Sequence, residues 1–448
     1  MHAPSFSQET ATIYAPASGV GRAAISVIRL SGPAADAALL ALKSGDLPPN
    51  RVATLRTLHD PASGDPLDRA LVIRFEAPRS FTGESMVELH ITGGRAVLNA
   101  IIAALAEIPG LRPAEAGEFA WRAFENGKLD LSQVEGLADL VDAQTEAQRK
   151  QALRIAGGAL SRQTETIRAL LMRAMALVEA QIDFSDQEDV DALGMADARD
   201  LAAEAAGLIR STLANAHCGE VLREGFVVVI AGPPNVGKST LMNALARRDV
   251  SIVSATPGTT RDVIEVHLDL RGYPVTLVDT AGLRDTGDPI EQEGISRARS
   301  RAEAADLTLW LTDRAHSDPP GKGPRLVVRT KIDLERDSSH LRNGEREAEL
   351  SISAKTGAGI SELLDAITAY ADRQLSGQGP ALITLQRHRL AYEEALQRLE
   401  AGLTRNNALP EIFAEDLRRT ARSLERISGR IDVEEVLGEI FSRLCVGK

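Results

Sequence analysis

Residues 232–240 read Gly-Pro-Pro-Asn-Val-Gly-Lys-Ser-Thr, and no other stretch restricts the possible folds so strongly. The spacing is that of a phosphate-binding loop, G-x-x-x-x-G-K-[S/T], which functions between a strand and a helix. Both flanks comply. Phe226 to Ala231 is a short, valine-rich apolar run, the pattern of a buried strand, and Leu241 to Arg248 carries apolar residues at helical spacing. The backbone N–H groups of such a loop converge on an anion at a helix N-terminus. Asn235, Val236, Gly237, Lys238, Ser239 and Thr240 then form the cradle. The Lys238 ammonium reaches the β- and γ-phosphates and the Ser239 hydroxyl reaches Mg²⁺. Taken alone, the stretch can also be a glycine-rich turn that binds nothing.

The residues downstream supply what a nucleotide site needs, in order. Asp279-Thr280-Ala281-Gly282 follows the apolar run Val275–Val278. A carboxylate there holds Mg²⁺ through water, and the Gly282 N–H meets the γ-phosphate. Thr330-Lys331-Ile332-Asp333 follows Val327–Val328. Asp333 can accept from both the N1–H and the exocyclic amine of guanine, which adenine does not offer, so GTP is expected over ATP. Ser353-Ala354-Lys355 adds a backbone N–H for guanine O6. The guanine motif usually begins with Asn, and the shorter Thr330 is expected to weaken one loop contact.

Between the phosphate loop and Asp279 lies Gly258-Thr259-Thr260-Arg261-Asp262. There Thr260 is placed to complete the Mg²⁺ shell, and Ser254, Ala255, Thr256, Pro257, Gly258 and Thr259 offer carbonyls near the phosphates. Leu283 stands where many GTPases carry a water-orienting Gln, a task leucine cannot perform. Glu291 is the nearest substitute, unless it is one of several solvated acids with Asp285, Asp288 and Glu293. No arginine finger is evident, so a cation or a partner must supply positive charge.

The 448 residues suggest about three domains at roughly 150 each. Residues 1–125 read as an α+β module, with strands at Ala24–Leu30, Ala70–Phe75 and Met86–Ile91 and a helix at Ala96–Glu107. Arg29 and Glu88 are charges inside apolar strands, and on the residues alone each can simply face solvent from a half-buried sheet. Helical texture rich in Ala, Leu, Glu and Arg runs from Leu131 to Arg154, from Ala159 to Val178 and over 195–216. Ile182 to Leu193 is acidic but lacks the spacing of a calcium loop, and reads as a solvated turn. The α/β pattern occupies 222–375. Helices follow at Leu385–Leu403, Ile412–Ser428 and Val433–Cys445. The expected domains are 1–125, a helical segment 126–221, a nucleotide module 222–375 inserted into the helical domain, and a second helical segment 376–448.

A formal charge of −12 argues against a generic nucleic-acid binder. It leaves room for a local patch such as Arg418, Arg419, Arg422, Arg426 and Arg430, which also reads as a solvated basic face. No apolar run approaches the ~20 residues that span a bilayer, and Met1 to Thr10 show no signal peptide. The two cysteines, Cys218 and Cys445, make no disulfide framework, so a cytoplasmic location is expected.

Together with Ser80-Phe81-Thr82-Gly83-Glu84, Gly127-Lys128-Leu129-Asp130-Leu131 and the terminal Cys445-Val446-Gly447-Lys448, these motifs resemble one family nearly end to end, the MnmE (TrmE) GTPases. The resemblance implies a fold class of multidomain α/β plus α: an N-terminal α+β folate-binding-like domain, a discontinuous helical domain and an inserted Ras-like P-loop G domain. It implies a GTPase that works with the FAD-dependent MnmG flavoprotein in a heterotetramer. Together they add aminomethyl or carboxymethylaminomethyl groups at C5 of the wobble uridine of certain tRNAs. The one-carbon donor implied is 5,10-methylenetetrahydrofolate, with 5-formyltetrahydrofolate as an analogue, bound at a homodimer interface.

By position, Arg29, Glu88, Lys128 and Lys448 match the family's folate contacts. Asn235, Ser254, Thr256 and Thr259 match its K⁺ site, where K⁺ takes the place of the arginine finger. Glu291 matches its water-orienting glutamate, and Cys445 lies near the folate site with its role open. Gly447 and Lys448 do not suit a prenylation box. Two rivals share the nucleotide motifs. A regulatory switch, such as a ribosome-assembly GTPase, has no need of the folate pattern. A dynamin-like membrane remodeller needs an anchor that is absent from the sequence.

Overall fold

A computed structural model describes residues 11–19, 21–42, 45–183, 193–248, 265–279, 305–313, 323–334, 350–375, 380–405 and 409–429, with 441, 444 and 447. The chain divides into two compact units, residues 1–138 with 156–165 and 421–448, and residues 139–155 with 166–420.

The first unit is built on a six-stranded sheet of β1 (Thr12–Pro16), β2 (Ile25–Ser31), β3 (Thr54–His59), β4 (Pro66–Phe75), β5 (Met86–Thr92) and β6 (Leu111–Pro113), in the order β3-β4-β5-β2-β1-β6. All neighbours are antiparallel except β1 and β6. Alternation sends Ile28, Leu30, Val87 and Leu89 to one face, where α1 (Ala35–Ala41) and α2 (Arg95–Ala106) cover them with Leu39, Ile101 and Leu105. The same alternation sends Arg29 and Glu88 to the opposite face, toward Phe81 and Phe119 of α3 (Glu118–Glu125). The strands read from sequence are present, with β4 starting earlier. The strands β1, β3 and β6 are additions.

The helical texture read from Leu131 to Arg154 resolves into two helices, α4 (Leu131–Asp142) and α5 (Glu146–Ala156). The break has a local cause. Thr145 Oγ1 accepts from Gln148 N at 3.4 Å, and Gln148 Oε1 accepts from Thr145 N at 3.2 Å, a reciprocal cap that starts a new helix. Asp130 and Gln133 form the same device ahead of α4, at 3.0 Å each way.

In the second unit, α6 (Ala159–Asp183, from residue 166 onward) and α7 (Leu193–Leu213) precede α8 (Ala216–Glu224). Helix Gln386–Thr404 packs on α7, where Arg199 donates to the Leu403 carbonyl at 3.1 Å and Arg210 pairs with Glu400 at 2.8 Å. Helices from before and after the nucleotide segment thus meet each other. On helix Pro410–Ser428, Arg418 pairs with Glu415 and Glu179, and Arg419 with Glu415. Those two arginines sit in a solvated ion-pair network. Arg430 and the helix read at Val433–Cys445 lie outside the described residues except at 441 and 444, as does the acidic stretch 184–192.

The second sheet contains β7 (Phe226–Ala231), β8 (Glu265–Leu270), β9 (Tyr273–Asp279), β10 (Leu307–Thr312), β11 (Arg325–Arg329) and β12 (Leu350–Ser351). Their order is β12-β11-β10-β7-β9-β8, parallel throughout except for the β8–β9 hairpin. The chain leaves β7 toward β9 on one side and returns to β10 on the other. That reversal opens a crevice at the carboxyl ends of the strands, where α/β folds bind ligands. Valine and isoleucine dominate β7 because both its faces are buried.

Candidate nucleotide and one-carbon sites

The phosphate loop follows β7, and α9 (Lys238–Ala246) begins directly after it. Gly232 has φ 149°, and a Cβ there would stand 2.4 Å from the Leu311 carbonyl oxygen, so the turn requires glycine. Asn235 and Gly237 adopt positive φ, which curls the loop and turns its N–H groups inward. Lys238 Nζ donates to the carbonyls of Gly232 and Pro233, 2.9 Å each, and so lies folded across the loop. Ser239 Oγ donates to Asp279 Oδ2 at 3.2 Å, and Asp279 is buried. A hydroxyl and a carboxylate side by side at a strand end are hard oxygen donors of the kind Mg²⁺ takes.

The base-side residues converge on the same loop. Thr330 is buried, and its hydroxyl donates to the Val236 carbonyl at 2.7 Å, so the loop contact in doubt at this position is made. Lys331, at φ 61°, reaches the Asn235 carbonyl at 2.6 Å. Asp333 accepts from the buried Ser353 hydroxyl at 2.6 Å, and that bond holds its carboxyl below the ordinary carboxylate range. The residues Ser353 to Lys355 follow β12 in a turn closed by Ser353 N to Ala358 O at 2.9 Å. Ser254–Thr260, Thr280–Gly282 and Glu291 lie outside the described residues.

In the first unit, Arg29 and Glu88 are register partners on adjacent strands. Arg29 Nε and Nη2 both donate to Glu88 Oε1, at 3.1 and 3.0 Å. The two side chains are only 21% and 18% exposed, so neither simply faces open solvent. The guanidinium stacks near Phe81 and Phe119, 5.4 and 5.9 Å from their centroids. His90 Nε2 stands 3.5 Å from the second Glu88 oxygen. Sequence reasoning passed over His90, although its place two residues beyond Glu88 puts it on the same strand face. Lys128 is exposed beside the Thr82–Gly83 turn, where a Cβ on Gly83 would lie 3.2 Å from Lys128 Cε. Cys445 and Lys448 lie outside the described residues.

The motif residues around this site prove to be braces. Glu84 accepts from Ser31 Oγ at 2.7 Å and from Arg122 at 3.0 Å. Arg122 also donates to Glu118 at 3.2 Å, and Arg112 donates to the same carboxylate at 2.5 and 2.8 Å. Burial pushes the Glu118 carboxyl up, but the Arg112 hydrogen bonds, the Glu115 N–H and the two arginine charges outweigh it and leave it lowered.

Two family models match the chain in tandem: "GTP-binding protein TrmE N-terminus" over residues 12–128 and "MnmE helical domain" over 131–445. The chain belongs to the MnmE family of tRNA modification GTPases. The tRNA modification GTPase MnmE of Methylobacterium radiotolerans is 51% identical over 444 residues, 98% of this chain and 100% of that protein. The one of Methylobacterium sp. strain 4-46 is 52% identical over 442 residues, with the same shares of each chain. That of Rhodopseudomonas palustris is 51% identical over 439 residues, 98% of this chain and 99% of the other. Among solved structures, the G domain of the T. maritima FeoB iron transporter is 27% identical, covers 32% of this chain and 98% of that one, and aligns with a TM-score of 0.21. Family membership fixes the architecture as an N-terminal domain, a helical domain and a Ras-like G domain. Among the described residues no helix is long and apolar enough to cross a membrane.

Proposed function

We propose that this chain is a K⁺-dependent GTPase that, with the MnmG flavoprotein, uses a one-carbon tetrahydrofolate to add (carboxymethyl)aminomethyl groups at C5 of tRNA wobble uridines. One observation carries the reading beyond a plain GTPase. A chain with a phosphate loop also sets Arg29 and Glu88 as a half-buried ion pair between aromatic rings on a separate sheet. A binding switch has no need of that pair in a pattern that, with Lys128 and Lys448, matches a folate site.

In the nucleotide site, the N–H groups of 235–240 hold the phosphates and Asp333 reads guanine. Ser239, Thr260 and Asp279 would hold Mg²⁺, which would neutralise charge on the phosphates. Asn235, Ser254, Thr256 and Thr259 would hold K⁺, whose charge offsets the negative charge that builds on the phosphates. Glu291 orients the attacking water in place of the glutamine that Leu283 displaces. In the one-carbon site, Glu88 accepts from the pterin edge and Lys128 and Lys448 face the glutamate carboxylates. Cys445 lies nearby. The assembly is a homodimer that joins the flavoprotein in a heterotetramer in the cytoplasm, and the domains divide at 1–125, 126–221, 222–375 and 376–448.

The test is deletion of the gene and mass spectrometry of nucleosides from bulk tRNA. Loss of C5-modified wobble uridines, restored by the wild-type chain but not by Asp279→Asn, supports the reading. An unchanged profile makes the regulatory switch the better account.

A further inference from the structure

The last residues of the chain return to the first unit, and two glycines mark their passage. Phe441 packs edge-on against Trp121, with centroids 5.1 Å apart and planes at 84°. It joins Ala120, Leu131, Val134 and Leu444 in one apolar cluster. A Cβ on Gly117 would stand 2.3 Å from the Phe441 carbonyl oxygen. Gly447 adopts φ 99°, and a Cβ there would stand 2.2 Å from the Pro16 carbonyl oxygen and 2.9 Å from Ala17 Cα. Both neighbours are backbone and cannot swing aside. The Gly447 carbonyl accepts from Arg29 Nη1 at 3.2 Å, while Nε and Nη2 of the same guanidinium hold Glu88.

We propose that the Gly447 carbonyl is a positioning group of the one-carbon site, an inference that rests on the folate reading above. A guanidinium is a rigid planar fork. Fixing one arm on a backbone carbonyl sets the angle at which the other edge meets Glu88. That in turn sets where the second Glu88 oxygen is presented to the N–H groups of a pterin. Arg29 is thereby committed to orienting Glu88, and recognition of the ligand's own carboxylates falls to other cations. Residue 447 must be glycine for two reasons: the backbone is left-handed there, and no Cβ fits against Pro16. The bond spans the whole sequence from the second strand to the C-terminus, so the site is complete only with the terminal residues docked.

The test uses the full chain with Trp310→Phe, which leaves Trp121 as the sole tryptophan. Equilibrium dialysis measures 5-formyltetrahydrofolate binding to Gly447→Ala, Arg29→Lys and the double variant. Acrylamide quenching of Trp121 reports whether Phe441 stays docked. GDP affinity and thermal melting show that each variant is folded. Each single variant is expected to weaken 5-formyltetrahydrofolate by about tenfold, the scale of one hydrogen bond to a charged group. The double variant is expected to bind no more weakly than the poorer single, because the Gly447 carbonyl acts on the site through Arg29 and has nothing left to orient once the guanidinium is gone. Quenching of Trp121 is expected to rise in Gly447→Ala. Wild-type affinity in Gly447→Ala, or losses that multiply in the double variant, overturns the proposal. If the parent chain itself does not bind 5-formyltetrahydrofolate, the folate reading fails. Trp121 quenching then judges the contact alone, and unchanged quenching in both single variants overturns it too.

Discussion

The Thr330 hydroxyl donates to the Val236 carbonyl across 2.7 Å, between residues 94 positions apart, and ties the guanine motif to the phosphate loop. A hydroxyl has one proton, and its other contact, to Thr312 O, is longer at 3.4 Å. The single donor is therefore spent on the loop.

Thr330→Val is expected to leave the Val236 carbonyl unpaired in a buried setting and to speed nucleotide release. An orphaned buried acceptor costs about 1–3 kcal/mol, so the GDP dissociation rate should rise at least fivefold. Thr330→Ser should keep the slow rate. Stopped-flow release of a fluorescent GDP analogue measures both.

Asp333 should remain ionised well into acid. Its carboxyl is lowered chiefly by the Ser353 hydroxyl, so the folded value lies below the unfolded one. The favourable contribution is therefore complete above the ordinary carboxylate range, and it is lost as pH falls through the lowered value. Ser353→Ala removes the main cause. The acid limb of GTP binding, titrated from pH 7 downward, should move to higher pH. Asp333→Asn should exchange guanine preference for xanthine, read by competition between the two triphosphates.

Arg122 binds Glu84 and the buried Glu118 together. Arg122→Met removes the cation that Glu84 and Glu118 share and leaves Glu118 to Arg112 and Glu84 to the Ser31 hydroxyl, so the cost should fall below the roughly 3–5 kcal/mol of a fully broken buried pair. Thermal melting of the full chain should show a lower first transition. Because Glu118 is lowered on folding, its stabilising contribution is present above the ordinary carboxylate range and lost as pH falls through its folded value. Glu118→Gln should flatten that acid dependence.

Glu291→Ala should bind GTP normally and lose K⁺-stimulated hydrolysis by roughly a hundredfold, the scale of a positioned acid–base group. Phosphate release at saturating GTP measures it. An unchanged rate would assign the water to another residue.

Much of this was legible in the sequence because it is local. A glycine at 232 and another at 237, before Lys238 and Ser239, dictate a loop whatever surrounds them, since steric limits on φ act within a residue. Periods of two and 3.6 gave the strands and helices for the same reason. Thr145 and Gln148 also formed a local signal, and it would have placed the break between α4 and α5.

What only the tertiary structure decided is which distant groups spend their hydrogen bonds on one another. Arg29 and Glu88 read equally well as exposed charges until strand register made them partners. The arginines of helix Pro410–Ser428 read either as a basic patch or as a solvated face, and the fold brought Glu179 to Arg418. Thr330 looked too short for its loop until Val236 came within reach. Register and packing join residues tens to hundreds of positions apart. A side chain's spacing along the chain carries no information about which partner will meet it there.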